Sequence, residues 1–114
     1  FKDGSGASRK NLVSPSQITA LLQKIYKDRR IFSLYRDSLA VSGKSGTLSN
    51  RFLNTPLEGK IYGKTGTIDN VSTLSGYSLS KDKHYAFSIM INNSTLKKKE
   101  LKEIQESILL HFLD

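Results

Sequence analysis

The chain has 114 residues, 37% of them hydrophobic, and a formal net charge of +8, which allows one domain-sized unit with a modest core. It has no cysteine, which excludes disulfides and thiolate metal sites, and no apolar run approaches the length needed to cross a bilayer. The basic balance invites a nucleic-acid reading, but its dense runs are only Arg29-Arg30 and Lys97-Lys98-Lys99, the second interleaved downstream with Glu100, Glu103 and Glu106 as on a solvated helix face, with no zinc-finger, aromatic-box or basic-zipper pattern, so no nucleic-acid partner is expected.

Taken in chain order, the pattern is α+β. Ser14 is a good N-cap, with Pro15 at the first helical position and Gln17 placed for a capping box. Ile18, Leu21, Leu22 and Ile25 then repeat at helical spacing and predict a helix with one buried stripe. A shorter helix is predicted over 31–39. Residues 42–59, rich in Gly, Asn and Pro, are expected to form a loop. Three strands follow, over 60–67, 72–80 and 85–92. In the last, Tyr85, Phe87, Ile89 and Ile91 share one face, and Ala86, Ser88 and Met90 the other. Ser80-Lys81-Asp82-Lys83 is a hairpin turn, which makes that pairing antiparallel. From about residue 96 a helical stripe of Leu101, Ile104, Ile108 and Phe112 predicts a C-terminal helix packed across one face of the sheet.

The chemistry concentrates in Lys64-Thr65-Gly66-Thr67 on the first predicted strand. On a strand edge an ammonium attracts a carboxylate, a threonine hydroxyl hydrogen-bonds it, and a residue without Cβ lets a substrate backbone lie close. Lys44-Ser45-Gly46-Thr47 imitates this tetrad, but its flanks lack a strand alternation. Three Ser-x-x-Lys pairs occur, Ser78 to Lys81, Ser80 to Lys83 and Ser94 to Lys97. The first two overlap in a polar turn and the third follows the Lys-Thr-Gly, so none is expected to be a nucleophile. His84 and His111 stand apart without a ligand cluster, and no phosphate-loop spacing is present, so no metal or cofactor is expected.

Several segments in order resemble the C-terminal part of D-alanyl-D-alanine carboxypeptidases of the penicillin-binding-protein 4 type, the peptidase S13 family. They are Asp3-Gly4-Ser5-Gly6-Ala7-Ser8-Arg9 through Asn11-Leu12-Val13-Ser14-Pro15, then Val41-Ser42-Gly43-Lys44-Ser45-Gly46-Thr47-Leu48 with Arg51-Phe52 behind. The most specific is Gly63-Lys64-Thr65-Gly66-Thr67, followed by Val71-Ser72-Thr73-Leu74-Ser75-Gly76-Tyr77 and Ala86-Phe87-Ser88-Ile89. One departure is visible: Ser45 stands where the family pattern has an aspartate.

The resemblance implies an antiparallel sheet sandwiched by helices, the β-lactamase/transpeptidase-like fold, of which residues 1–114 form the C-terminal portion. It implies a serine enzyme acting on peptidoglycan stem peptides and β-lactams in the periplasm or another extracytoplasmic space, without metal. It also implies that the nucleophilic Ser-x-x-Lys and the Ser-x-Asn element belong to an N-terminal part outside this sequence, the chain's implied structural partner. Lys64 is then a carboxylate anchor that also steadies proton transfer near the serine. Thr65 shares the anchoring, Gly66 permits close approach, and Thr67 supplies an oxyanion-type N–H and a further hydroxyl. Asp3 and Arg9 are expected as supports near the cleft or, equally, as parts of a turn. Two alternatives stay open, a β-lactamase-like hydrolase fragment and a non-catalytic basic module that binds anionic cell-wall polymers.

Overall fold

The computed structural model describes residues 14–68, 71–92 and 97–113. Its helices and strands are α1 (Pro15–Lys27), α2 (Arg29–Asp37), β1 (Ala40–Val41), β2 (Ile61–Ile68), β3 (Val71–Leu79), β4 (His84–Asn92) and α3 (Lys98–Leu113), with a 3-10 turn at Gly46–Leu48. The strands form one antiparallel sheet in the order β1-β2-β3-β4. The α+β reading, the three long strands and the C-terminal helix hold, each with bounds shifted by a residue or two.

The capping box at Ser14 forms as the sequence predicts: the Gln17 N–H donates to Ser14 Oγ at 3.3 Å and the Ser14 N–H to Gln17 Oε1 at 2.8 Å. Asp28 then ends α1 and caps α2, its carboxylate accepting from the Ile31 N–H at 3.2 Å. That capping is why the second helix starts at Arg29, two residues ahead of the predicted start. Between β3 and β4 the turn closes where predicted, with the Ser80 N–H donating to the Lys83 carbonyl at 3.1 Å.

Register fixes which side chains share a face, because side chains alternate along a strand. Ile61, Gly63, Thr65 and Thr67 of β2 lie opposite Ser78, Gly76, Leu74 and Ser72 of β3, and these in turn face Tyr85, Phe87, Ile89 and Ile91 of β4. This face meets α3 and the 42–59 segment in a core of Leu48, Phe52, Leu57, Ile61, Leu74, Phe87 and Leu109. Tyr62 and Tyr77 are on the other face, which packs on α1 and α2 through Leu22, Leu39, Ile18, Phe32 and Tyr35.

Two expectations are corrected by this packing. Leu21 is 53% exposed, so the stripe of α1 narrows to buried Leu22 with Ile18 and Ile25 half-buried beside it. In α3 the buried positions are Leu101, Gln105 and Leu109, whereas Ile104 is partly exposed and Phe112 is 73% exposed. The stripe is rotated because Gln105, polar in sequence, is satisfied inside: its side-chain oxygen accepts from Arg51 at 3.1 Å. The loop expected over 42–59 holds, with little regular structure. It supplies Leu48, Phe52 and Leu57 to the core, and residues just ahead of it add a fourth, two-residue strand.

Ser42 closes this segment at its base. Fully buried, it donates from Oγ to the Leu57 carbonyl at 2.7 Å and accepts there from the Ile61 N–H at 3.1 Å, while its own N–H reaches the Ile61 carbonyl at 2.9 Å. Phe52, with φ of 62°, holds a backbone conformation that costs a non-glycine residue about 1–3 kcal/mol. Its N–H is fixed by Glu106 Oε1 at 3.1 Å and its ring is buried, which offsets that cost.

Candidate functional site

β1 pairs with β2 only at Ala40 opposite Gly63 and Val41 opposite Tyr62, so Lys64 to Thr67 continue past the end of β1. In an antiparallel strand successive residues direct their backbone groups to opposite neighbours. The Ile61 N–H and C=O both engage Ser42 on the β1 side, whereas the carbonyls of Lys60 and Gly66 accept from Leu79 and Thr73 on the β3 side. By that alternation Thr65 and Thr67 turn their backbone N–H and C=O toward an edge that no strand covers among the described residues. Two donors spaced along one exposed edge are what an extended substrate backbone or a developing oxyanion requires.

The side chains divide the other way. Lys64, paired with Ser75, is exposed on the α1/α2 face and lines a cavity of about 270 Å³ with Ser45, Gly46, Thr47 and Ala40. Thr65 and Thr67 are on the α3 face and open into a second cleft of about 250 Å³, walled by Arg51, Lys98, Lys102 and Gln105. The ammonium and the two hydroxyls thus reach the open edge from opposite sides. Gly66 sits between them; a Cβ there would come within 3.0 Å of Thr73 Oγ1 and narrow the approach.

The second glycine-rich segment joins the site through one residue. Thr47 Oγ1 hydrogen-bonds Thr65 Oγ1 at 3.0 Å, which orients the strand hydroxyl. Lys44 goes elsewhere, its stem lying over Gly59, where a Cβ would meet Lys44 Cε at 2.9 Å. Ser45 Oγ accepts the Val41 N–H at 3.0 Å, so the hydroxyl caps the end of β1.

Beneath the second cleft lies a polar support that periodicity does not disclose. Arg51, 4% exposed, donates to Glu106 Oε2 at 2.9 Å, the Lys102 carbonyl at 3.0 Å and Gln105 Oε1 at 3.1 Å. A buried guanidinium is tolerable only when paired and hydrogen-bonded like this. Only its place behind the second glycine-rich segment signalled it in the sequence.

The remaining candidates fall outside this arrangement. Ser78 is buried on β3, Ser80 Oγ donates to the Lys83 carbonyl at 2.9 Å in the hairpin, and neither starts a helix. Ser94, Asp3 and Arg9 lie outside the described residues. His84 Nδ1 hydrogen-bonds the Tyr26 hydroxyl at 2.5 Å, and His111 contacts the Phe112 ring edge-on. On the aromatic face the Tyr77 hydroxyl donates to the Leu22 carbonyl at 2.6 Å; burial, reinforced by Tyr35, pushes its pKa up to about 12, and burial raises Tyr35 as well.

The model of the D-Ala-D-Ala carboxypeptidase 3 (S13) family matches residues 1–111. The chain belongs to the S13 D-Ala-D-Ala carboxypeptidase family. It is 34% identical over 118 residues to a penicillin-sensitive carboxypeptidase A of Dictyostelium discoideum, covering 95% of this chain and 22% of that protein. It is 41% identical over 97 residues to a D-alanyl-D-alanine carboxypeptidase of Actinomadura sp. strain R39, covering 81% of this chain and 18% of that protein. The chain therefore spans about a fifth of the length of these curated relatives. Its fold matches the crystal structure of penicillin binding protein 4 (dacB) from Haemophilus influenzae with a TM-score of 0.83 and 28% identity, over 97% of this chain and 26% of that one. A second crystal structure of that protein, complexed with a β-lactam, matches with a TM-score of 0.82.

Proposed function

We propose that this chain is the C-terminal, substrate-anchoring part of a serine D-Ala-D-Ala carboxypeptidase that acts on peptidoglycan stem peptides and is acylated by β-lactams in an extracytoplasmic space. The observation that carries this is the open end of β2, where Thr65 and Thr67 present backbone groups along the edge with their hydroxyls on one face and Lys64 on the other. Membership of the S13 family, the relative named penicillin-sensitive and the one named a D-alanyl-D-alanine carboxypeptidase support the substrate class. No helix among the described residues is long and apolar enough to cross a membrane.

In this reading the terminal carboxylate of the stem peptide sits against the hydroxyls of Thr65 and Thr67, and the peptide runs antiparallel along the β2 edge past Gly66. The Thr67 N–H stabilises the oxyanion that develops when a serine attacks the carbonyl of the penultimate D-alanine. Lys64, on the opposite face, is the catalytic member: its ammonium stabilises negative charge developing at the reacting centre and steadies proton transfer from the serine. The serine, its lysine and the Ser-x-Asn element come from the rest of the longer protein, in keeping with relatives about five times the length of this chain. A β-lactam presents the same carboxylate and a strained acyl group to the same parts.

Intact mass after incubation with benzylpenicillin tests this. The full-length protein is expected to gain one acyl group, and residues 1–114 alone none, since orientation without a nucleophile breaks no bond. A saturable adduct on Ser78, Ser80 or Ser94 of the isolated chain would contradict the division of roles. Absence of any adduct on the full-length protein would favour a binding module, and rapid turnover of the adduct a β-lactamase.

A further inference from the structure

The cleft on the α3 face continues beyond the two threonines that hold the carboxylate in the reading above, and its charge is unbalanced. Arg51 in its floor is matched by Glu106 at 2.9 Å. Lys98 and Lys102, one helical turn apart on the wall, are exposed and have no ion-pair partner among the described residues. Like charges at this spacing repel each other, and Glu106, one turn beyond Lys102 on α3, is engaged by Arg51. Its other glutamates, Glu100 and Glu103, line a separate depression with Ile104 and Ser107. A D-alanine leaving group would place one carboxylate at Thr65 and Thr67 and leave the lysine wall unanswered, in a cleft of about 250 Å³ that is larger than a methyl side chain requires.

We infer that this cleft is a leaving-side specificity subsite in which Lys98 and Lys102 receive a second carboxylate, so that the enzyme favours stem peptides whose C-terminal residue is an acidic D-amino acid over those ending in D-alanine. This rests on the peptidase reading above. Thr65 and Thr67 bind the α-carboxylate of either leaving residue; the lysines meet only the side-chain carboxylate of the acidic one. They are specificity residues and take no part in bond breaking. Their contribution is electrostatic at a half-open site, so it is modest and weakened by salt.

The test uses the full-length protein and its Lys98→Gln/Lys102→Gln variant on two peptides, diacetyl-L-Lys-D-Ala-D-Ala and diacetyl-L-Lys-D-Ala-D-Glu. The unsubstituted protein is expected to cleave the D-Glu peptide with a kcat/KM at least equal to that for the D-Ala peptide. The double variant should lose about tenfold on D-Glu at low salt, mostly in KM, and less than about twofold on D-Ala. High salt should shrink the difference, and stoichiometric acylation by benzylpenicillin should be unchanged. Equal effects on both peptides, or no effect on either, would overturn the subsite while leaving the peptidase reading standing. Cleavage of neither peptide by the unsubstituted protein would overturn both.

Discussion

Lys44 to Thr47 and Lys64 to Thr67 carry lysine, a hydroxyl, glycine and threonine at matching positions, yet the first bends through a 3-10 turn and the second runs as a strand. In the turn Gly46 has a φ of 58° and packs against Ala40, Ser45 is occupied by the Val41 N–H, and Lys44 folds over Gly59. In the strand the two-residue period sends Lys64 to one cavity and Thr65 and Thr67 to another, with their backbone groups on the open edge between. The same side chains thus make a turn in one place and a strand edge in the other. What differs is the neighbouring strand: β3 pairs along all of Lys64 to Thr67, whereas the turn is held by local bonds and by Leu48 beneath it.

The strongest way to break that difference is at Gly76. A Cβ there would stand 2.0 Å from the Tyr62 carbonyl oxygen and 2.7 Å from the Gly63 Cα, so Gly76→Ala should force β2 and β3 apart. A loss of roughly 3 kcal/mol or more in denaturant unfolding of the full-length protein, with loss of β-lactam acylation, is expected.

Next in size is the tether of that sheet to α1. Tyr77, 1% exposed, holds its proton more tightly folded, at about 12, than unfolded, near 10. Stability from this group is therefore complete below pH 10 and is lost as pH rises from about 10 to about 12, by roughly 2–3 kcal/mol. Tyr77→Phe should flatten that dependence. Unfolding curves of both proteins at intervals across this window would check it, and an unchanged slope in the variant would contradict it.

The smallest effect sharpens the contrast between the two glycines. Gly46→Ala must adopt a left-handed backbone against Ala40 and should cost roughly 1–2 kcal/mol. Gly66→Ala meets only the movable Thr73 hydroxyl and should cost less than about 1 kcal/mol, since alanine also restricts the unfolded chain. Turnover should rank the other way, with Gly66→Ala the slower enzyme. Thermal unfolding and peptidase assays on the same preparations check both orders.

Much of this was legible because it is periodic or local. The capping box at Ser14 and Gln17, the alternation through Tyr85 to Ile91 and the hairpin at Ser80 to Lys83 depend on neighbours a few residues apart. So does the strand character of Lys64 to Thr67. The polar floor was not legible, because Arg51 finds Gln105 and Glu106 across more than fifty positions of sequence. Those bonds also turn α3 so that Gln105, instead of Ile104 or Ile108, faces inward. Likewise nothing periodic marks Leu48, Phe52 and Leu57 as core, since an irregular backbone bound at its base by Ser42 delivers them. The hydrogen bond between Thr47 and Thr65 was invisible for the same reason, and it draws the weaker-looking tetrad into the site through its last residue alone.

That the strand tetrad, and not the turn tetrad, acts on substrate is tested most directly by comparing Lys64→Ala with Lys44→Ala in the full-length protein. Loss of an ammonium held beside a desolvated reacting centre costs on the order of 2–4 kcal/mol, so Lys64→Ala should lower kcat/KM for a D-Ala-D-Ala peptide by about a hundredfold or more. Lys44→Ala, removing a stem packed over Gly59, should change it by less than about threefold. Equal losses from the two substitutions, or a larger loss at Lys44, would contradict the assignment of the site to β2.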